Sequence, residues 1–387
     1  MSLSTIKKNN KEAILDLLFR NSNISKKKIA QKLNLSPSVI TKLCNELIDE
    51  QRIKETDQFK SRKAGRRETG LILNIEYGLI IGITINHLYT TILLTDIYKQ
   101  VLQKKVIPTS SEGQEYFPKL IDTLNEIINE LSLSQRILGI GVSVKGRTDG
   151  VHSFSGIWSH PQNIKAILEN QLHLPVIMDN GVRATALQAQ FETNLSSFAF
   201  IKYVEAGIGG ALVENGTIKT GESHSIAEFG HMIVDPTKDY CPICKRRGCL
   251  ESIASIENLF KEIQKKLTPK YFPILWNQIK EHPDNFSMTE INKSVAEGSI
   301  ELNRLYQRYA HYFAINLINF HTIVDCKHIL LAGEIFLSQQ FQTYLQGELA
   351  SLQLVPLWDQ IEFYQSYDET LSAVFLAINQ FFLTLPA

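Results

Sequence analysis

The chain has 387 residues, 44% of them hydrophobic and 21% charged, and its formal net charge is zero. That length allows two or three domains with sizeable cores, and that composition excludes wholesale disorder. No apolar run approaches about 18 residues, so no transmembrane helix is expected. The start, Met1-Ser-Leu-Ser-Thr-Ile-Lys-Lys, has no apolar h-region, so a cytoplasmic protein is expected.

The zero charge hides an asymmetry. Residues 1–70 hold 16 Lys+Arg against 8 Asp+Glu, which leaves 24 against 32 for the remainder of the 40 and 40. A basic head on an acidic body points to a polyanionic partner for the head alone. The head reads as three helices. Lys8 to Phe19 carries Ile14, Leu15, Leu17 and Leu18 on an apolar face. Ser25 is placed to cap a short helix with Ile29, Ala30 and Leu33, and Asn34-Leu35 turns the chain. Ser36 caps a third helix that has Pro37 at its first position and runs to about Glu50, with Ile40, Leu43 and Leu47 inward.

Two short helices around a tight turn form a helix-turn-helix pattern, with Arg52-Ile-Lys-Glu-Thr as a wing strand. A small helical protein–protein module would share the pattern; the local positive charge favours double-stranded DNA. Ser36, Ser38, Thr41 and Lys42 are the candidates for base edges or phosphates. Arg62, Lys63, Arg66 and Arg67, in the tract Lys60–Arg67, are candidates for phosphates or a minor groove.

The body opens with strand-like runs at residues 79–85 and 90–96, which read as a hairpin. A helix over 116–131, a strand over 137–144, a strand over 175–179, a helix through Ala184 to Gln190 and strands over 198–204 and 211–216 follow. Helices dominate after residue 255, and the strand Ile329–Gly333 leads into another. Strands alternating with helices predict an α/β fold. The expected domains are a winged helix-turn-helix over 1–60, a wing or linker over 61–77 and a body over 78–387.

The chemistry concentrates between residues 207 and 251. His231, Cys241, Cys244 and Cys249 supply one imidazole and three thiolates, a closed tetrahedral set whose default metal is zinc in a structural role. The competing reading is three loop cysteines beside a surface histidine. The run Gly207-Ile-Gly-Gly210, expected between two strands, offers close backbone approach to an anion or hydroxyl, although a plain tight turn explains it as well. Glu228 stands three residues before His231, and Glu251 two after Cys249. With the loop fixed by metal, Glu228, His231 and Glu251 converge as a set suited to vicinal hydroxyls. Either carboxylate alone would equally suit a helix cap or surface ion pair.

Taken together, these features resemble the ROK family (repressors, open reading frames and kinases) on its repressor branch, similar to the xylose and N-acetylglucosamine repressors. The resemblance rests on the head, Gly65-Arg-Arg67, Gly207–Gly210, Glu228-Phe-Gly-His231, the cysteine cluster ending Gly248-Cys-Leu-Glu251, and Leu331-Ala-Gly333. It implies a winged head on a two-lobed, actin-like sugar-kinase fold with a cleft near 180–250. It implies sugar contacts from Asn180, Glu228, His231 and Glu251, with Gly146 in the same set, and zinc on His231, Cys241, Cys244 and Cys249.

Three departures bear on function. Kinase members carry an Asn-Asp pair whose Asp is the general base; the matching text is Asp179-Asn180-Gly181, so a group worth about 10²–10⁴-fold is replaced by Gly181. The first phosphate loop, Asp-x-Gly-Gly-Thr in kinases, matches Thr84-Ile-Asn-His-Leu88. The cysteine loop has one extra residue between its first two cysteines, and Lys245 stands where glycine is usual. Arg183 is placed to meet a carboxylate or phosphate on an effector, or to lie on the surface. The expectation is a sugar-responsive, non-catalytic repressor, homodimeric or tetrameric, on a roughly palindromic operator. The competing classes are a sugar kinase with an appended head and a DNA-binding protein whose body only oligomerises.

Overall fold

Both units of the chain are built on a five-stranded sheet, and the two sheets share one strand order. The first unit comprises residues 1–194 and 368–387, the second residues 195–367. The computed structural model describes residues 2–56, 69–132, 135–204, 207–280, 282–283, 286–352, 355–365 and 368–386.

The first unit opens with the head. The helix Leu3–Arg20, longer at its start than the apolar pattern suggests, is capped by Ser2, whose hydroxyl accepts from the Thr5 amide. Ser25 caps Lys26–Leu33, and Asn34 ends it in the left-handed region at φ 52°. Ser36 caps Pro37–Asp49 by accepting from the Val39 amide, with Pro37 where no amide is needed. The wing strands Ile53–Thr56 and Gly70–Leu73 pair antiparallel, and Gly70–Leu71 also pairs with Ile24–Ser25. The tract holding Arg62, Lys63, Arg66 and Arg67 lies outside the described residues.

The body of this unit is a sheet in the order Val101–Pro108, Tyr89–Thr95, Leu79–Ile85, Ile137–Val144, Val176–Asn180. Its first three strands are antiparallel, and the last two run parallel to Leu79–Ile85. Leu79–Ile85 is buried along its whole length, as expected of a strand covered on both faces. Helices Gly113–Asn129 and Ile164–Leu172 supply core residues with Leu79, Ile81 and Ile83. On the other face the C-terminal helix Glu369–Ala377 passes so close that a Cβ at Gly141 would stand 1.9 Å from the Ala373 carbonyl oxygen. The helix Gly181–Thr193 packs beside it.

The second unit repeats the plan. Its order is Thr217–Lys219, Gly207–Glu214, Phe198–Val204, Ile329–Ala332, Ile361–Phe363, again three antiparallel strands and then two parallel additions. Its core joins this sheet to the helices Ile256–Lys266, Ile300–Ile323 and Gln339–Ser351 through Phe229, Tyr306, Tyr309, Phe313, Phe336 and Phe341. This duplication was not apparent from the sequence. One expectation is corrected: Gly207–Gly210 is not a loop between strands but the first half of a strand, paired with Ile201–Val204.

Candidate functional site

The loop of the second unit is fixed before any metal is considered. Phe229 is fully buried against Phe313 and Phe320, with ring centroids 5.5 Å from each. Its carbonyl accepts from Asn316 Nδ2 at 2.9 Å. Gly230 lies so close to the glycine strand that a Cβ would stand 2.2 Å from the Ile208 oxygen. With Phe229 plugged into the core, the side chains on either side are fixed: Glu228 is exposed and His231 half-buried. A short ladder then returns the chain. Leu250 donates its amide to the Met232 carbonyl at 3.1 Å and Val234 to the Gly248 carbonyl at 2.8 Å. The bridge Ile233–Cys249 brings the last cysteine beside the histidine.

The ligand atoms of His231, Cys241, Cys244 and Cys249 all lie within 4.8 Å of one another. His231 Nδ1 stands 3.9 Å from both Cys241 Sγ and Cys249 Sγ, and the Cys244 and Cys249 sulfurs are 3.9 Å apart. Zinc–sulfur bonds of about 2.3 Å in a tetrahedron require sulfurs about 3.8 Å apart, so the four donors fit such an ion. Burial holds the His231 imidazole below its ordinary value, which favours the neutral form that ligates. Burial pushes the Cys249 thiol up to about 11, a cost that a bound cation offsets by stabilising the thiolate. Lys245 sits at φ 58°, which explains why a glycine suits that position.

Glu251, on the short helix Leu250–Ala254, turns its carboxylate to the glycine strand. Ile208 donates its amide to Glu251 Oε2 at 2.7 Å. A Cβ on Gly207, at φ 133°, would meet Glu251 Oε1 at 2.8 Å. The glycines therefore serve a side chain of this protein: they admit the carboxylate. Sequence reading placed Glu251 near the loop but missed the Ile208 amide that fixes it.

In the first unit, Asn180 ends the strand Val176–Asn180 and caps the helix Gly181–Thr193; its Oδ1 accepts from the Arg183 amide at 2.7 Å. Gly181 opens that helix with its nearest neighbour, Ser143 Oγ, 3.7 Å from where a Cβ would be. Arg183 is only 3% exposed. Its Nε donates to Asp179 Oδ1 at 2.6 Å and its guanidinium to the Thr148 carbonyl at 3.3 Å. It braces the loop after Val144 instead of presenting a free cation to an effector. The i, i+4 spacing of Asp179 and Arg183 was the available signal. Gly146, at φ 90° in that loop, packs against Ser155. Of the stretch matching the kinase phosphate loop, Thr84 and Ile85 end one strand and Asn86-His87-Leu88 form the turn to the next, with Leu88 exposed.

In the head, Ser38, Thr41 and Lys42 share the exposed face of Pro37–Asp49, and Ile40, Leu43, Cys44 and Leu47 face inward. Ser36 is exposed but committed to its cap, and Thr41 donates its hydroxyl to the Pro37 carbonyl at 2.8 Å. Val39 is 40% exposed on that face, an apolar side chain suited to a thymine methyl, and was not among the sequence candidates.

A winged head and a sheet-duplicated body, whose loop gathers one histidine and three cysteines, define a DNA-binding regulator built on a sugar-kinase fold. The model described as the ROK family matches residues 80–366, and that described as winged helix-turn-helix DNA-binding matches residues 8–54. The chain belongs to the ROK family. It is 26% identical over 357 residues to the xylose repressor of Caldicellulosiruptor bescii, covering 86% of each chain. It is 24% identical over 342 residues to the DNA-binding transcriptional dual regulator NagC of Escherichia coli, covering 86% of this chain and 82% of that one. A crystal structure of a ROK family transcriptional regulator, described as a homologue of the E. coli MLC protein, shares the fold with a TM-score of 0.79 at 20% identity, covering 98% of this chain and 97% of that one. Among the described residues, no helix is long and apolar enough to cross a membrane.

Proposed function

We propose that this protein is a cytoplasmic repressor of carbohydrate-metabolism genes, released from its operator by a sugar or sugar derivative. The observation that carries the reading is the conjunction of a winged head with Glu228, His231 and Glu251 around one fixed loop. His231 offers Nδ1 to the metal site, which leaves its other ring nitrogen for a sugar hydroxyl. Glu251, oriented by the Ile208 amide, and Glu228, exposed beside His231, offer acceptors for further hydroxyls. In the first unit, Asn180 is itself a proposed sugar contact. The names of its relatives, xylose repressor and N-acetylglucosamine repressor, make xylose and N-acetylglucosamine the first sugars to try.

The ion in the loop is zinc, held by His231, Cys241, Cys244 and Cys249. With four protein ligands it activates no water; it fixes the loop that presents His231 and Glu251. Head residues Ser38, Thr41 and Lys42, with Arg62, Lys63, Arg66 and Arg67, contact DNA, and a homodimer or tetramer matches a two-fold operator. The protein does not phosphorylate its sugar: Gly181 offers no base, and Asn86-His87-Leu88 offers no carboxylate for a metal–nucleotide.

A thermal-shift panel tests the reading. The purified, zinc-loaded protein is heated with neutral sugars, amino sugars, uronic acids and sugar phosphates. A sugar at 100 times its Kd adds about 2.7 kcal/mol of stability, and the shift is lost in Glu251→Gln. A panel without a hit would favour a body that only oligomerises. ATP-dependent phosphorylation of any hit would return the chain to the kinases.

A further inference from the structure

The helix Gly181–Thr193 has a partner at each end. Asn180, the proposed sugar contact of the first unit, caps its start. Its other end is capped by the DNA-binding head. Arg20, the last residue of the head's first helix, donates from one guanidinium nitrogen to the Gln190 carbonyl at 2.8 Å and to Asn194 Oδ1 at 3.3 Å. The same guanidinium lies 4.7 Å from the centre of the Phe191 ring. Asp16 holds Arg20 in place, accepting from Nε at 3.0 and 2.9 Å.

The physical role of this contact is specific. A helix leaves its last four carbonyls without internal partners and carries partial negative charge at that end. Arg20 supplies both a donor and a positive charge there, from a separate module of the chain. Phe19 adds an apolar grip: its ring is 5.2 Å from that of Phe191 and 6.2 Å from that of Phe375. Between its ends the helix is buried at every residue from Arg183 to Phe191, so it has no room to bend locally. Thirteen helical residues at about 1.5 Å each span about 20 Å. The head has other ties to the body, to different elements: Arg52 donates to the Phe382 carbonyl at 2.7 Å and lies over the Tyr77 ring, and Glu12 accepts from the Leu385 amide at 2.8 Å. Those ties do not touch the Asn180 helix.

We propose that the helix Gly181–Thr193 is the rod that links the effector site to the DNA-binding head, and that Arg20 and Phe191 form the joint at which it acts. The proposal rests on the functional reading above. Displacement of the helix at Asn180 is delivered to the end of the head's first helix, while Arg52 anchors the wing. Arg20 is a positioning residue; it contacts neither DNA nor sugar.

Coupling between two sites is reciprocal, so DNA binding must register along the helix even before the natural effector is known. The test is amide hydrogen exchange on the full-length protein, with and without a duplex enriched from a random-sequence pool by the protein itself. In wild type, DNA changes exchange in residues 181–194 by about fivefold or more, the lower range of ordinary coupling. In Arg20→Ala the same duplex binds, but the change in 181–194 falls below about twofold. Phe191→Leu, which leaves the head's own sequence intact, gives the same loss and covers the case in which Arg20→Ala disturbs the head. Wild-type protection confined to the head, or a change in 181–194 undiminished in both variants, would overturn the proposal. Failure to enrich any duplex would instead overturn the functional reading on which it rests.

Discussion

Cys249→Ser removes one of the four donors of the proposed zinc site, and the structure sets the size of the effect. The sulfur of Cys249 is fully buried and lies 3.9 Å from both His231 Nδ1 and Cys244 Sγ, so it sits on two edges of the coordination tetrahedron. A serine hydroxyl there is not ionised at neutral pH, and the remaining imidazole and two thiolates leave the ion open to water. For wild type, free zinc at a thousand times its Kd contributes about 4.1 kcal/mol. A unit the size of residues 195–367 shifts by about 2–4 °C per kcal/mol, so stripping the metal lowers its melting temperature by about 8–16 °C. The assay pairs a zinc count on the purified protein with thermal melts before and after chelation. Wild type holds one zinc per chain and melts lower once stripped. Cys249→Ser holds none, melts near the stripped wild type and ignores the chelator. Cys44→Ser, a buried cysteine of the head outside the cluster, keeps the zinc. One full equivalent of zinc in Cys249→Ser, with an undiminished response to chelator, would refute the assignment.

Other consequences follow from single positions. Lys245→Gly relieves a side chain held at φ 58° and stabilises the loop by about 1 kcal/mol, read as a rise of about 2–4 °C in the melt of the zinc-loaded protein; a fall would mean that the lysine makes a contact worth more than the strain. Gly141→Ala drives a methyl into the Ala373 carbonyl and costs at least about 1–3 kcal/mol, measured by urea denaturation; an unchanged midpoint would show that the C-terminal helix yields freely. DNA affinity falls about 10³-fold or more between 50 and 200 mM salt if six or more phosphates are contacted, and Lys42→Ala lessens that slope by about one if it touches phosphate. Binding insensitive to salt would remove the basic head from the interface.

Which features were legible in the sequence follows from the range of the interactions that make them. Ser25 and Ser36 cap amides three residues away, so their helices could be placed from the sequence alone. The cluster of one histidine and three cysteines is equally local, since all four fall between residues 231 and 249. Val101–Pro108 was missed because it is an edge strand whose exposed face carries Lys104 among apolar residues, which masks the alternation. Gly207–Gly210 was misread because a strand that gives up its side chains to admit Glu251 has the composition of a loop. The contact of Arg20 with Gln190 spans 170 residues, and nothing in either local sequence signals it. The sheet duplication was hidden for a similar reason: strand order is set by pairing between distant segments.

The central claim is that sugar occupancy and DNA binding are linked in one molecule. Fluorescence anisotropy on a labelled duplex selected by the protein, titrated with each sugar that stabilises it in the thermal panel, measures that link directly. The account predicts that at least one such sugar weakens DNA binding by about fivefold or more, and that Glu251→Gln, still bound to the duplex, no longer responds. Sugars that bind the protein yet leave its DNA affinity unchanged would contradict it.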